Sequence, residues 1–115
     1  MSNVQVWKDG KVVVAMYSGR MCPNLLDEAN SKIERAVAEG AELVLYHTSN
    51  MDDPSMGLAL QMRRFNERIK SAVSKTATVT QSTITAYLAR FAFGLSRNHR
   101  VFFRDSEAAL SWLRS

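Results

Sequence analysis

His47, Ser49, Asp52 and Ser55 bring the residue types of a hydrolytic triad into one short stretch of this chain. A triad draws its members from separate elements, however, and presents its serine on a strained elbow such as G-x-S-x-G, which is absent here. The adjoining Asp52-Asp53 pair lacks the spaced oxygen ligands and closing glutamate of a calcium loop, and His47 with His99 supplies only two imidazoles. The five glycines are scattered, so no loop is built to cradle a phosphate. The single cysteine, Cys22, excludes an internal disulfide. Next to a helix starting near Pro23 it could in principle be a nucleophile, but with no histidine close in sequence it reads as a small loop residue. The expectation is a protein with no catalytic residue, no metal and no cofactor.

A second chemistry is open to the same region. Met51-Asp52-Asp53-Pro54-Ser55-Met56-Gly57-Leu58 sets two acids, a proline and a hydroxyl before an amphipathic run. A serine there can accept a hydrogen bond from a backbone N–H two or three positions on, an ordinary cap worth about 1 kcal/mol. It can also carry a phosphate, which the unpaired N–H groups and positive dipole end of a helix favour and the two aspartates oppose.

The elements that must position these residues follow from the periodicity. Val4 to Trp7 alternates, Asp9-Gly10 is a hairpin signal, and KVVVAMYS resumes as a strand. Leu25, Leu26, Ala29, Ile33, Ala36 and Val37 keep to one helical stripe, with Asp27 and Glu28 in its first turn and Gly40 as a stop. Glu42 to Tyr46 is a short buried strand, and Leu58, Met62, Phe65, Ile69 and Val73 mark a second helix. Lys75 to Gln81 alternates as a strand. Ser82-Thr83 caps a third helix, whose Ile84, Leu88, Phe91 and Leu95 are expected to face the sheet. Arg100 to Phe103 is a fifth strand, and Asp105-Ser106-Glu107 opens a last helix with Ala109, Trp112 and Leu113 inward. The order β-β-α-β-α-β-α-β-α predicts an α/β fold: one mixed five-stranded sheet, an N-terminal antiparallel hairpin followed by parallel strands, with helices packed on it.

The 115 residues suit one domain spanning positions 1–115. With 46% hydrophobic and 23% charged residues, no segment is polar enough to stay unfolded. No apolar run is long enough to cross a bilayer and no secretory leader is evident, so a cytoplasmic address without membrane insertion is expected. The net charge of +4 is spread over the chain, and its densest group, Arg63, Arg64, Arg68 and Lys70, falls on the polar side of a helix. Nucleic-acid binding is not expected from that pattern.

With that order assembled, the strand KVVVAMYSG before a helix closing on EG, the strand ELVLY and the ending VFFRDSEAALSWL give a chain that resembles the STAS-like, SpoIIAA-like family. These are small α/β domains related to anti-sigma-factor antagonists and, in overall shape, to lipid-binding Sec14 modules. The likeness is one of pattern over nearly the whole chain. In the antagonists, a serine in a D-S-S-G-L type turn at the start of the helix after the third strand is phosphorylated by the partner kinase. The resemblance makes Ser55 the corresponding acceptor; here extra residues separate it from Asp52, and Met56 precedes Gly57-Leu58.

Two surfaces are expected to carry function. Residues 47–56 and 80–83 leave the carboxyl ends of two parallel strands, so His47, Ser49, Ser55, Thr80, Ser82 and Thr83 should gather on one rim as an anion or partner site. On the third helix, Ala86, Ala89 and Phe93, flanked by Arg90, form a second apolar strip opposite the sheet, a surface for a protein partner or a homodimer. The reading is a non-enzymatic protein-interaction or regulatory module, a component of partner-switching signalling. The alternative is a binder of a small anionic or lipid-like ligand, which requires an apolar pocket under the third helix.

Overall fold

The structure, a computed structural model, describes residues 2–94 and 97–115. Its elements are β1 (Asn3–Asp9), β2 (Val12–Gly19), α1 (Pro23–Ala38), β3 (Leu43–Met51), α2 (Met56–Ile69), β4 (Lys75–Thr80), α3 (Thr83–Phe93), β5 (His99–Phe103) and α4 (Ser106–Arg114). Leu95, expected on the third helix, lies outside the described residues. The order and the type of every element agree with the periodicity. Asp9 pairs with Val12, which leaves Gly10-Lys11 as the hairpin turn, and Gly10 at φ 63° supplies the positive φ such a turn needs at its first position.

The sheet runs β1-β2-β3-β4-β5, with β1 antiparallel to β2 and the other pairs parallel. A strictly sequential order has a physical consequence. Each parallel crossover steps in the same direction, so right-handed connections carry all their helices to the same face. The larger core accordingly joins α1 (Leu26, Ile33), α2 (Phe65, Ile69) and α3 (Ala92, Phe93) to one side of the sheet. Only α4, which follows the last strand, covers the other side, through Ala109 and Leu113 against Val12, Leu45 and Val79. Its end is fixed by Lys75, whose Nζ donates to the Trp112 carbonyl at 3.0 Å and lies over the Trp112 ring, a cation at a helix C-terminus.

Four expectations are corrected. First, α1 begins at Pro23, so Asp27 and Glu28 lie beyond its first turn; Cys22 is the exposed N-cap and makes no side-chain cap. Second, α2 ends at Ile69, so Val73 is not on it.

Third, β3 does not end at Tyr46 but continues to Met51: His47 lies opposite both Met16 and Val79, and beyond it β2 goes on pairing through Ser18–Asn50 and Gly19–Met51. His47 and Ser49 are therefore strand residues rather than loop residues.

Fourth, α3 is rotated from the expected direction: Leu88 is buried as expected and Phe91 half-buried, but Ile84 is not inward. Ala86, Ala89 and Phe93 are buried, whereas Ile84 is 58% and Tyr87 70% exposed. Phe93 stacks on the Tyr46 ring, and the small Ala86, Ala89 and Ala92 let the helix backbone approach the sheet, so the bulky Ile84 and Tyr87 face out. Of the expected partner strip, Ala86, Ala89 and Phe93 are buried and only Arg90 is on the surface.

Candidate functional site

The turn from β3 to α2 and the turn from β4 to α3 meet at the carboxyl end of the sheet, and side chains lace them together. Ser55, exposed, is the N-cap of α2: its Oγ accepts from the Leu58 N–H at 3.2 Å. Ser82 caps α3 in the same way, its Oγ accepting from the Thr85 N–H at 3.2 Å. Asp53 joins the two turns. Its carboxylate accepts from the Ser82 hydroxyl and, at 2.8 Å, from the Thr85 hydroxyl. Gln81 adds a strap, donating from Nε2 to the Ser49 carbonyl at 2.6 Å, and Thr48 Oγ1 donates to the Val79 carbonyl at 2.8 Å.

The hydrogen bonds from Ser82 and then Thr85 hold the Asp53 carboxyl below its ordinary pKa of 3.8, against a small opposing effect of burial. A lowered folded-state pKa means that this tie contributes above the ordinary carboxylate pKa and is lost as pH falls below it. Asp53→Ala is expected to free the β3–α2 turn from α3 and speed amide exchange at Ala86 and in the first turn of α2. Unchanged exchange there would show that the strap from Gln81 suffices. The hydrogen bonds fix the Asp53 carboxylate on α3 but leave it ionised, so its charge, like that of the exposed Asp52, opposes a phosphate on Ser55.

Among the expected rim residues, the structure brings Ser55, Ser82, Thr80 and the exposed Thr83 to this end of the sheet. Thr80 Oγ1 accepts from the Ser82 N–H at 3.1 Å. His47 is not part of the rim: strand alternation turns it to the face opposite Tyr46, and its Nδ1 is buried without a hydrogen-bond partner. Ser49 contributes its carbonyl, not its hydroxyl. The residue missed from the sequence is Asp53, whose two partners lie 29 and 32 positions away and leave no local signal.

Four of the large exposed apolar residues lie on the two helices that start at this rim, while Trp7 and Phe103 are exposed on β1 and β5. Met56 and Leu60 on α2 and Ile84 and Tyr87 on α3 are exposed. The Arg63 guanidinium of α2 lies 5.2 Å from the centre of the Phe91 ring of α3. Met56, Leu60 and Arg63 share one helical stripe, as do Ile84, Tyr87 and Phe91, so the Arg63–Phe91 contact sets the two stripes side by side along the α2–α3 seam. Exposed Ser55 sits at its upper end. The signal in the sequence was present, since Ile84 and Tyr87 were visible as large residues, but their outward direction was not.

Beneath the seam lies a cavity of about 70 Å³, lined by apolar side chains of β2, β3, α2 and α3 and by the rings of Tyr17 and Tyr46. Tyr17, Tyr46, Phe93 and His99 stack in a row, with ring centres 6.5, 4.7 and 4.5 Å apart. Among the described residues there is no cluster of three or more histidine, cysteine or acidic side chains able to hold a metal, and no helix is long and apolar enough to cross a membrane.

No family model and no curated protein matches the chain. Solved structures do. An uncharacterised protein with a SpoIIAA-like fold from Shewanella loihica superposes with a TM-score of 0.72 at 16% identity, over 98% of this chain and 95% of that one. An anti-sigma factor antagonist from Mycobacterium paratuberculosis gives 0.70 at 17% identity, over 100% and 96%. The Bacillus cell fate determinant SpoIIAA in its phosphorylated form gives 0.69 at 20% identity, over 96% and 99%. The likeness at these identities is one of fold, and the fold is the SpoIIAA-like one that the sequence resembles.

Proposed function

We propose that this chain is a non-enzymatic regulatory module that docks a protein partner on the α2–α3 seam, with Ser55 at the edge of the contact as its switch. The observation that carries the reading is the grouping of Met56, Leu60, Ile84 and Tyr87, all exposed, beside the exposed hydroxyl of Ser55. Large apolar residues gathered on one surface mark an interaction site, and a tyrosine at its centre offers wide contact area at low entropic cost. A phosphate on Ser55 would meet the free N–H groups of α2 and place its charge against that apolar rim, which opposes a docked partner. The fold neighbours described as anti-sigma factor antagonists, one of them phosphorylated, support a regulatory role of this kind.

Site-specific photocrosslinking in the native cells tests it. A benzoylphenylalanine at position 87 should yield one discrete protein adduct, weakened severalfold by Ser55→Glu, while the same probe at Gln5, exposed on the β1 edge, should yield none. Identical adducts at both positions, or none at 87, would remove the reading. Ser55→Ala separates the cap from the switch: it should cost about 1 kcal/mol of stability and leave the adduct in place.

A further inference from the structure

Docking on the α2–α3 seam leaves the free edge of β5 unused. β5 is the last strand in the sheet order, so one side of it meets no other strand. Its pairing with β4 fixes which backbone groups are left over. The Thr76 N–H donates to the Asn98 carbonyl at 2.8 Å and the Arg104 N–H to the Thr80 carbonyl at 2.9 Å, so Asn98, Arg100, Phe102 and Arg104 turn their backbone groups to β4. The N–H and C=O groups of His99, Val101 and Phe103 point away from the sheet, and among the described residues no backbone hydrogen bond reaches them. Such a row is a template for one more strand.

The side chains around this edge select the strand. Alternation puts Arg100 and Phe102 on the face that α4 covers, where the Arg100 guanidinium lies 5.4 Å from the centre of the Phe102 ring. Val101, half-buried, and Phe103, 50% exposed, stand on the α3 face and leave apolar surface beside the open edge. Exposed Arg97 precedes the strand and exposed Arg104 follows it, while Arg90, in the last turn of α3, lies on the side of that helix where its charge reaches His99. Among the described residues Arg90, Arg97, Arg100 and Arg104 enter no ion pair, whereas Lys11, Lys32, Arg68, Lys70 and Arg114 each do. The acids that follow β5 in the chain are Asp105, which caps α4 by accepting from the Ala108 N–H, and Glu107 in the first turn of that helix. The edge is bordered by unpaired positive charge. A second copy of this chain would bring the same arginines to the same place, so they deter self-pairing and attract a strand that carries acids.

We infer that the β5 edge takes up an extended segment of another protein in which acidic and apolar residues alternate. Its backbone pairs with His99, Val101 and Phe103, its acids meet Arg100 on the α4 face, and its apolar side chains lie against Val101 and Phe103 on the other.

Acetylated and amidated heptapeptides test this by amide exchange and chemical shift in the isotopically labelled protein. EVEVEVE should bind saturably and slow exchange at His99, Val101 and Phe103, while Arg100 and Phe102, already bonded to β4, stay unchanged. EVEPEVE keeps the charge but loses a ladder donor and should bind about tenfold more weakly. KVKVKVK should not bind. The Arg100→Gln/Arg104→Gln variant, altered only at exposed side chains, should bind EVEVEVE about fivefold more weakly and keep the alternating protection. No saturable binding of EVEVEVE, equal affinity for EVEPEVE or KVKVKVK, protection without alternation, or an affinity untouched by the double substitution would each overturn the assignment. Equal shifts at the same amides with an oligothymidylate of equal charge would also overturn it, by making the edge a nucleic-acid surface.

Discussion

Phe93→Ala is expected to destabilise the protein by about 3–5 kcal/mol. The ring is 9% exposed and lies between Tyr46 and His99, with centres 4.7 and 4.5 Å away. Truncation loses its transfer free energy and both stacking contacts. It also enlarges a cavity that Phe93 already lines, where rigid strands limit collapse. Tyr87→Ala, on the same helix but 70% exposed, should cost no more than about 0.5 kcal/mol. Denaturant unfolding of the two variants measures the difference directly. A larger loss at Tyr87 than at Phe93 would mean that α3 presents its other face to the sheet. Phe93→Asp, by placing a charge in the same position, should unfold the domain rather than dissociate an oligomer.

The second large effect is on pH dependence. Burial, with a smaller contribution from the Arg90 charge, lowers the His99 pKa from 6.5 to about 4. Its Nδ1 lies 2.7 Å from the Thr76 hydroxyl and its ring stacks on Phe93, surroundings that hold a neutral imidazole and offer no counter-charge. Because the folded-state value is below the unfolded one, the unfolded chain takes up a proton first as pH falls. The contribution of neutral His99 is complete above 6.5, is lost between 6.5 and about 4, and changes no further below that. The shift corresponds to roughly 3 kcal/mol across the window. Unfolding free energies at about pH 7 and about pH 4.5 should therefore differ by most of this amount in the wild type and far less in His99→Gln. An equal pH dependence in the two proteins would assign the effect to other groups.

Much of the fold was legible because it is written in local period. Alternation in Val4 to Trp7, the Asp9-Gly10 turn signal and the stripe through Leu26, Ala29 and Ile33 each specify an element without reference to any other. The caps were legible for the same reason: Ser55 to Leu58 and Ser82 to Thr85 are hydrogen bonds across three positions. The rest of β3 was not. His47 to Asn50 is polar enough to read as a loop, and it is a strand because β2 pairs along it, β4 pairs as far as His47, and Thr48 finds the Val79 carbonyl 31 positions away.

The direction of α3 was illegible from its own residues. The face bearing Ile84, Leu88 and Phe91 carries the larger apolar residues, and the choice between the faces rests on fit to the sheet rather than on hydrophobicity. The face bearing Ala86, Ala89 and Phe93 fits over Tyr46 and beside His99, while Ile84 and Tyr87 do not. The same choice moved the outward surface to Ile84 and Tyr87 and created the cavity below.

The sequence by itself determined the order and kind of the elements, the mixed five-stranded sheet they form and the two serine caps, since periodicity and capping act within a few residues of chain. Only the tertiary structure decided that Asp53 clamps the two turns, that α3 buries its alanines, and that two tyrosine hydroxyls meet no acceptor. Those outcomes depend on which side chains compete for the same space and the same hydrogen-bond partners after distant segments come together, and no local pattern encodes that competition.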